Sequence, residues 1–147
     1  MKLKKLDELQ YIKRGNIFKH CFFTIIGLLM LHILATELGI VFTSQQNTLL
    51  LMVFFILSLF CIEMIYHGIY PLSEKRQKFL YMVMGICGIT IIAASVYDIV
   101  TGDAGFAENG LLSDSGAGVF IGCFSLAIFI AYVIKRAYGG KTEKSDE

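Results

Sequence analysis

Glu63 and His67 stand four residues apart in the stretch CIEMIYHGIY, Cys61 to Tyr70, just after a run from Phe42 to Phe60 that carries no charge. Residues at that spacing lie one above the other on a helix, so this acid and base can satisfy each other. Three readings are open. The pair is a site that shares or exchanges a proton or cation, a polar clasp that locks one helix against another, or a carboxyl with His67 reaching out to lipid headgroups. His32 adds to the clasp reading, because it shares a face with the small residues Ala35, Thr36 and Gly39, and a tight turn would let it approach Glu63. Glu37 lies about 140° around the helix from His32 and does not join this group, while Asp98 falls at the far end of its apolar run. A charge in hydrocarbon costs about 2.5 to 3.5 kcal/mol, so each of these groups needs a reason to be there.

Other chemistry is harder to build from these residues. Two ligands from Glu63 and His67, with His32 as a third, make a poor metal site, and neither HExxH nor paired ExxH occurs. Cys21, Cys61, Cys87 and Cys123 are scattered one to each apolar segment, without a CxxC pair. No G-x-S-x-G elbow is present, and the acidic segment holding Asp103, Glu108 and Asp114 lacks the D-x-D-x-D-G spacing of a calcium loop. The expectation is a chain with no catalytic residues, cofactor or metal.

The elements that position these residues follow from composition. The chain has 147 residues, 56% of them hydrophobic, and a mean hydropathy of +0.67. That is too apolar for a soluble domain of this size and predicts an integral membrane protein whose first partner is the lipid bilayer. Thirteen Lys and Arg against twelve Asp and Glu give a net charge of +1, with no basic surplus for nucleic acid. About 20 apolar residues cross the hydrocarbon, and four segments qualify: 18–42, 48–70, 79–100 and 117–134. The fold class expected is all-α, a four-helix membrane bundle over 18–134. A lead of 1–17 precedes it and a charged tail of 135–147 follows.

Every basic residue falls on one side of that arrangement. Lys2, Lys4, Lys5, Lys13, Arg14 and Lys19 precede the first span. Lys75, Arg76 and Lys78 separate the second and third, and Lys135, Arg136, Lys141 and Lys144 follow the fourth. The positive-inside rule then sets both termini in the cytoplasm, with the first span retained as a signal anchor. Tyr66, Tyr70, Tyr81 and Tyr132 gather at the predicted inner rim and Tyr97 at the outer one. In the lead, Leu3, Leu6, Leu9 and Ile12 form a weak apolar stripe, with Gly15 as a break and Asn16 as a cap for the first span. Thr43 to Asn47 reads as a tight outer turn, and the Gly-rich segment around Asp103 to Asp114 as a flexible acidic loop.

Packing signals are more distinct than chemical ones. Gly118 and Gly122 form a GxxxG motif that Ser125 continues, and Gly85, Gly88, Ala94 and Ser95 give the third span its own positions for close approach. Contact within the bundle is the expected use, with self-association into a homo-oligomer or contact with a membrane partner protein as the lesser one.

The lead Leu6-Asp7-Glu8-Leu9-Gln10, a first span, a tight outer turn and a second span ending in Tyr66-His67-Gly68-Ile69-Tyr70-Pro71 resemble a group of uncharacterised small four-pass membrane proteins of low-GC Gram-positive bacteria. In that group an arginine commonly stands where this chain has Leu9. The resemblance implies a bacterial plasma-membrane setting and no activity. The expected function is that of a non-catalytic accessory, sensory or stress-related membrane component. A small proton-coupled transporter or channel centred on Glu63, His67 and His32 is one alternative. An immunity-type membrane protein is the other.

Overall fold

The computed structural model describes residues 8–69 and 74–142 of the chain. Expectations placed on residues 1–7, 70–73 and 143–147 lie outside the described residues. Among them are Leu3 and Leu6 of the lead stripe, the basic Lys2, Lys4, Lys5 and Lys144, and the stop at Tyr70 and Pro71.

Among the described residues, four helices make up the fold: α1 (Glu8–Glu37), α2 (Gln45–Tyr66), α3 (Glu74–Thr101) and α4 (Asp114–Thr142). All four are long and apolar enough to cross a membrane. Helices suit such sequences because each backbone N–H and C=O is paired within its own segment. The helices run past the apolar stretches from which they are read: α3 begins before Phe79, and α4 starts before Ala117 and continues beyond Ile134. Apolar composition marks the part suited to hydrocarbon, whereas the hydrogen-bond ladder continues into the polar flanks.

Two expectations about α1 are corrected. The helix passes through Gly15 and Asn16 without a break. A helical glycine costs only about 1 kcal/mol, and the next residue, Ile17, is buried against Met64 and Ile69. At its other end α1 stops at Glu37, well before Phe42. Gly39 takes a left-handed φ of 73°, its N–H donates to the Thr36 carbonyl at 3.0 Å, and the Ile40 N–H donates to the Ala35 carbonyl at 2.9 Å. This is a Schellman stop. Leu38 to Ser44 then connect to α2, where the Ser44 side chain caps the helix by accepting from the Asn47 N–H at 3.2 Å. Gln45, Gln46 and Asn47 are therefore helical and not part of a turn.

The helices pack in sequence across the molecule, α1 along α2, α2 against α4, and α4 against α3. The α3–α4 contact is the closest. A Cβ on Gly88 would meet the Gly122 carbonyl oxygen at 2.9 Å, and one on Gly85 would meet the Phe129 ring at 2.7 Å. Gly118 lies against Ser95. Ala94, by contrast, faces outward. Phe55 and Phe124 meet edge to face at 5.6 Å between α2 and α4, and Phe18 and Phe60 approach to 5.1 Å between α1 and α2. Burial falls along the row: 28% of the apolar window of α4 is buried but only 6% of that of α1.

The segment read as a flexible acidic loop has a defined structure. Ala107–Glu108 (β1) and Leu111–Leu112 (β2) pair antiparallel around Asn109 and Gly110, both at positive φ, as a two-residue Asn-Gly turn requires. Ser113 then caps α4, accepting from the Gly116 N–H at 3.0 Å and donating to the carbonyls of Gly105 and Phe106. This segment is tied to the α1–α2 connection. The Leu112 N–H donates to the Phe42 carbonyl at 2.7 Å, the buried Thr43 hydroxyl donates to the Leu112 carbonyl at 2.7 Å, and the Asn47 amide donates to the Asp114 carboxylate at 2.7 Å.

The glycine contacts can be tested by substitution. Gly88→Leu and Gly122→Leu push a side chain into backbone atoms that cannot yield, and each should lower stability in detergent by about 1 to 3 kcal/mol. Gly27, with nothing within 4 Å, should accept leucine with little change. Equal melting shifts for all three variants would show that the α3–α4 approach does not matter.

Candidate functional site

Glu63 sits in the last turn of α2, and the cap that ends this helix decides what surrounds it. Gly68 adopts φ 65°, and the Ile69 N–H donates to the Met64 carbonyl at 3.0 Å, which is again a Schellman stop. Ile69 is fully buried and packs with Met64 and Ile17, the apolar contact that accompanies this motif. The helix thus ends at Tyr66, with His67 as its cap and Gly68 as the left-handed residue that follows.

His67 is the C-cap residue, and its backbone N–H donates to the Glu63 carbonyl at 3.0 Å. Its side chain is exposed and meets the Tyr66 ring edge-on at 5.4 Å. Among the described residues no hydrogen bond or ion pair joins the Glu63 carboxylate to His67 or to His32. His32 lies on the α2-facing side of α1, half-buried with Leu28 and Ala35. Glu37 is exposed at the end of α1.

The group that Glu63 does meet is His20, whose Nδ1 lies 3.7 Å from Glu63 Oε1. The distance is too long for a direct hydrogen bond, so the pair attracts only when the imidazole is protonated. His20 is open to its surroundings, with 76% of its side chain exposed, against 36% for Glu63. The second carboxylate oxygen, Oε2, is buried without a hydrogen-bond partner among the described residues. One oxygen therefore faces an exposed imidazole while the other is buried. His20 is about 18 Å along α1 from His32, so the two imidazoles serve different levels of the helix.

Sequence reasoning missed His20 because it set the turn at Thr43 to Asn47. A hairpin centred on Gln45 would place Glu63 opposite Gly27. With α1 ending at Glu37, residues 17–20 lie beside residues 60–64 instead. The signal was Leu38-Gly39, an apolar residue followed by the glycine that stops a helix.

A second polar group lies at the same end of the molecule. Gln77 is buried and donates from Nε2 to the Tyr81 hydroxyl at 2.8 Å, and the Tyr81 and Tyr132 rings meet with centroids 5.0 Å apart and planes tilted by 36°. Both tyrosines are in the core with Ile65 and Ile128, so their rings pack between helices and do not face outward. Each has neighbours on two other helices, and ring burial between them outweighs exposure at an interface. Tyr66 is outward, with the Lys135 ammonium donating to its carbonyl at 3.0 Å and lying 5.7 Å from its ring centre.

Among the described residues no three His, Cys, Asp or Glu side chains converge in a way that would hold a metal ion, and the four cysteines are free. No protein-family model, curated protein or solved structure matches the chain.

The pairing of Glu63 is open to a double-mutant cycle. His20→Gln and Glu63→Gln, alone and together, should give a coupling of about 0.5 kcal/mol at pH 5.5, the range of partly exposed ion pairs. His67→Gln and Glu63→Gln should be additive within about 0.3 kcal/mol. Coupling to His67 and none to His20 would reverse the assignment.

Proposed function

We propose that the chain is a multi-pass protein of the bacterial plasma membrane with both termini cytoplasmic. In this reading it works without catalysis, as an accessory or sensory component that meets another membrane protein through α1. The orientation draws on the sequence positions of the thirteen basic residues, which fall toward the N-terminal start of the first apolar span, between the second and third, and after the fourth.

The observation that carries the functional reading is the position of α1. It is held along one seam against α2, with 6% of its apolar window buried. Its opposite side presents Phe22, Phe23, Met30 and Ile33, with Gly27 open to close approach. In lipid, helices associate through shape and close packing, since burial of apolar surface gives little advantage there. An edge helix with large side chains around a bare glycine suits such an association.

Single-cysteine variants in a background lacking the native four test both parts. Cysteines at Gln46 and Asn109 should react with a membrane-impermeant reagent from outside, and those at Arg76 and Tyr138 should not. A photoactivatable maleimide at Met30 or Ile33 should cross-link to another polypeptide in native membranes, whereas one at Ile86 on α3 should not. Absence of adducts from α1 would overturn the accessory reading, and reversed labelling the orientation.

The buried, unpartnered Oε2 of Glu63 favours a second reading, a site that takes a proton from His20. Liposomes holding wild-type protein should then dissipate an imposed pH gradient faster than liposomes holding Glu63→Gln. Identical rates would remove proton transfer.

A further inference from the structure

Between α3 and α4, at the end carrying the basic residues, lies an open groove of about 400 Å³ lined by Met82, Phe129, Tyr132, Val133, Arg136 and Ala137. We propose that this groove holds one anionic phospholipid, with its phosphate on Arg136 and an acyl chain along Val133, Met82 and Phe129.

The shape follows from sequence spacing. Phe129, Tyr132, Val133, Arg136 and Ala137 recur at steps of three and four and so form one face of α4. From Phe129 to Arg136 that face is about 10 Å long. It runs from an apolar end, where Phe129 is pressed against Gly85, to a guanidinium. This matches a lipid entered from its headgroup downward.

Charge and hydrogen bonding select the headgroup. Arg136 has no ion pair or hydrogen bond among the described residues, whereas its neighbour Lys135 is engaged with the Tyr66 carbonyl. Arg136 is the one charged side chain that lines the groove, so an anion is the complementary ligand. Tyr132 is 8% exposed, and its hydroxyl has no hydrogen-bond partner among the described residues. The groove therefore offers the exposed Arg136 guanidinium as a donor that no described residue engages, with the Tyr132 hydroxyl buried behind it. A phosphodiester and the ester carbonyls below it offer acceptors, and Arg is the side chain that pairs best with phosphate. A zwitterionic headgroup would bring its own cation among these bases. The inference needs the four helices to lie in a bilayer and is independent of what α1 meets.

Native mass spectrometry of the full chain in neutral detergent tests it, with equal amounts of dioleoyl phosphatidylglycerol or dioleoyl phosphatidylcholine added. Wild type should retain one phosphatidylglycerol. Arg136→Gln should lower that retention about tenfold, the loss of one charge-assisted hydrogen bond. Val133→Trp fills the groove without changing charge and should act alike, while Lys135→Gln should have no effect. Equal retention of the two lipids, or equal losses from Arg136→Gln and Lys135→Gln, would overturn the proposal. So would a dimer that phosphatidylglycerol does not displace and Val133→Trp disrupts, which would assign the groove to a second copy.

Discussion

The backbone approach of α3 and α4 at Gly88 and Gly122 is the contact from which the other packing extends. Between helices surrounded by lipid there is little hydrophobic drive, and association depends on how many atoms reach van der Waals distance. Two glycines facing each other bring main chain to main chain, and Phe129 fills the space that Gly85 leaves. With that pair set, α4 presents Phe124, Ile128 and Tyr132 to α2, and α2 in turn offers Phe60 and Met64 to α1. Each step away from the glycine contact is looser, which is why α1 is the least buried helix.

Polar residues follow the ends of the helices more than their faces. Two Schellman stops, at Gly39 and Gly68, determine how far α1 and α2 extend and therefore which residues lie side by side. Glu63 meets His20 as a result of those two glycines. His67, one position before the second of them, is turned out of the helix face that its spacing suggests. At the basic end, Lys135 occupies the terminal carbonyl of Tyr66, a favourable use of a cation at a helix C-terminus, and Arg136 beside it has no partner among the described residues.

Much of this architecture was legible in the residues. Continuous apolar runs specify four helices because lipid leaves the backbone few other solutions, and Gly85, Gly88, Gly118 and Gly122 read as close-approach positions because a missing Cβ is a local property. The register between helices was not legible in the same way. It depends on where α1 stops, and Val41 and Phe42 are as apolar as the residues before them, so hydropathy carries the helix past its true end. The hairpin at Asn109-Gly110 was visible as a dipeptide, yet its strands are two residues long and show no alternation to support it. Tyr81 and Tyr132 read as rim residues because their distance from the span centre is apparent in sequence, whereas the neighbours that bury them come from other helices.

The tie between the two loops has a consequence for the order in which the molecule can be completed. Thr43 and Leu112 are 69 positions apart in the chain, and synthesis runs from the N-terminus. When the first hairpin of helices has been made, the Phe42 carbonyl and the Thr43 hydroxyl face partners that have not yet been translated. During that interval α1 and α2 have their own seam, while the connection between them lacks the hydrogen bonds that later fix it. Arrival of Leu112 and Asp114 closes it, with Ser113 starting the last helix in the same few residues. The final hairpin therefore acts as a latch on the connection of the first, and a chain arrested before residue 112 would leave the Phe42 carbonyl and the Thr43 hydroxyl without these partners.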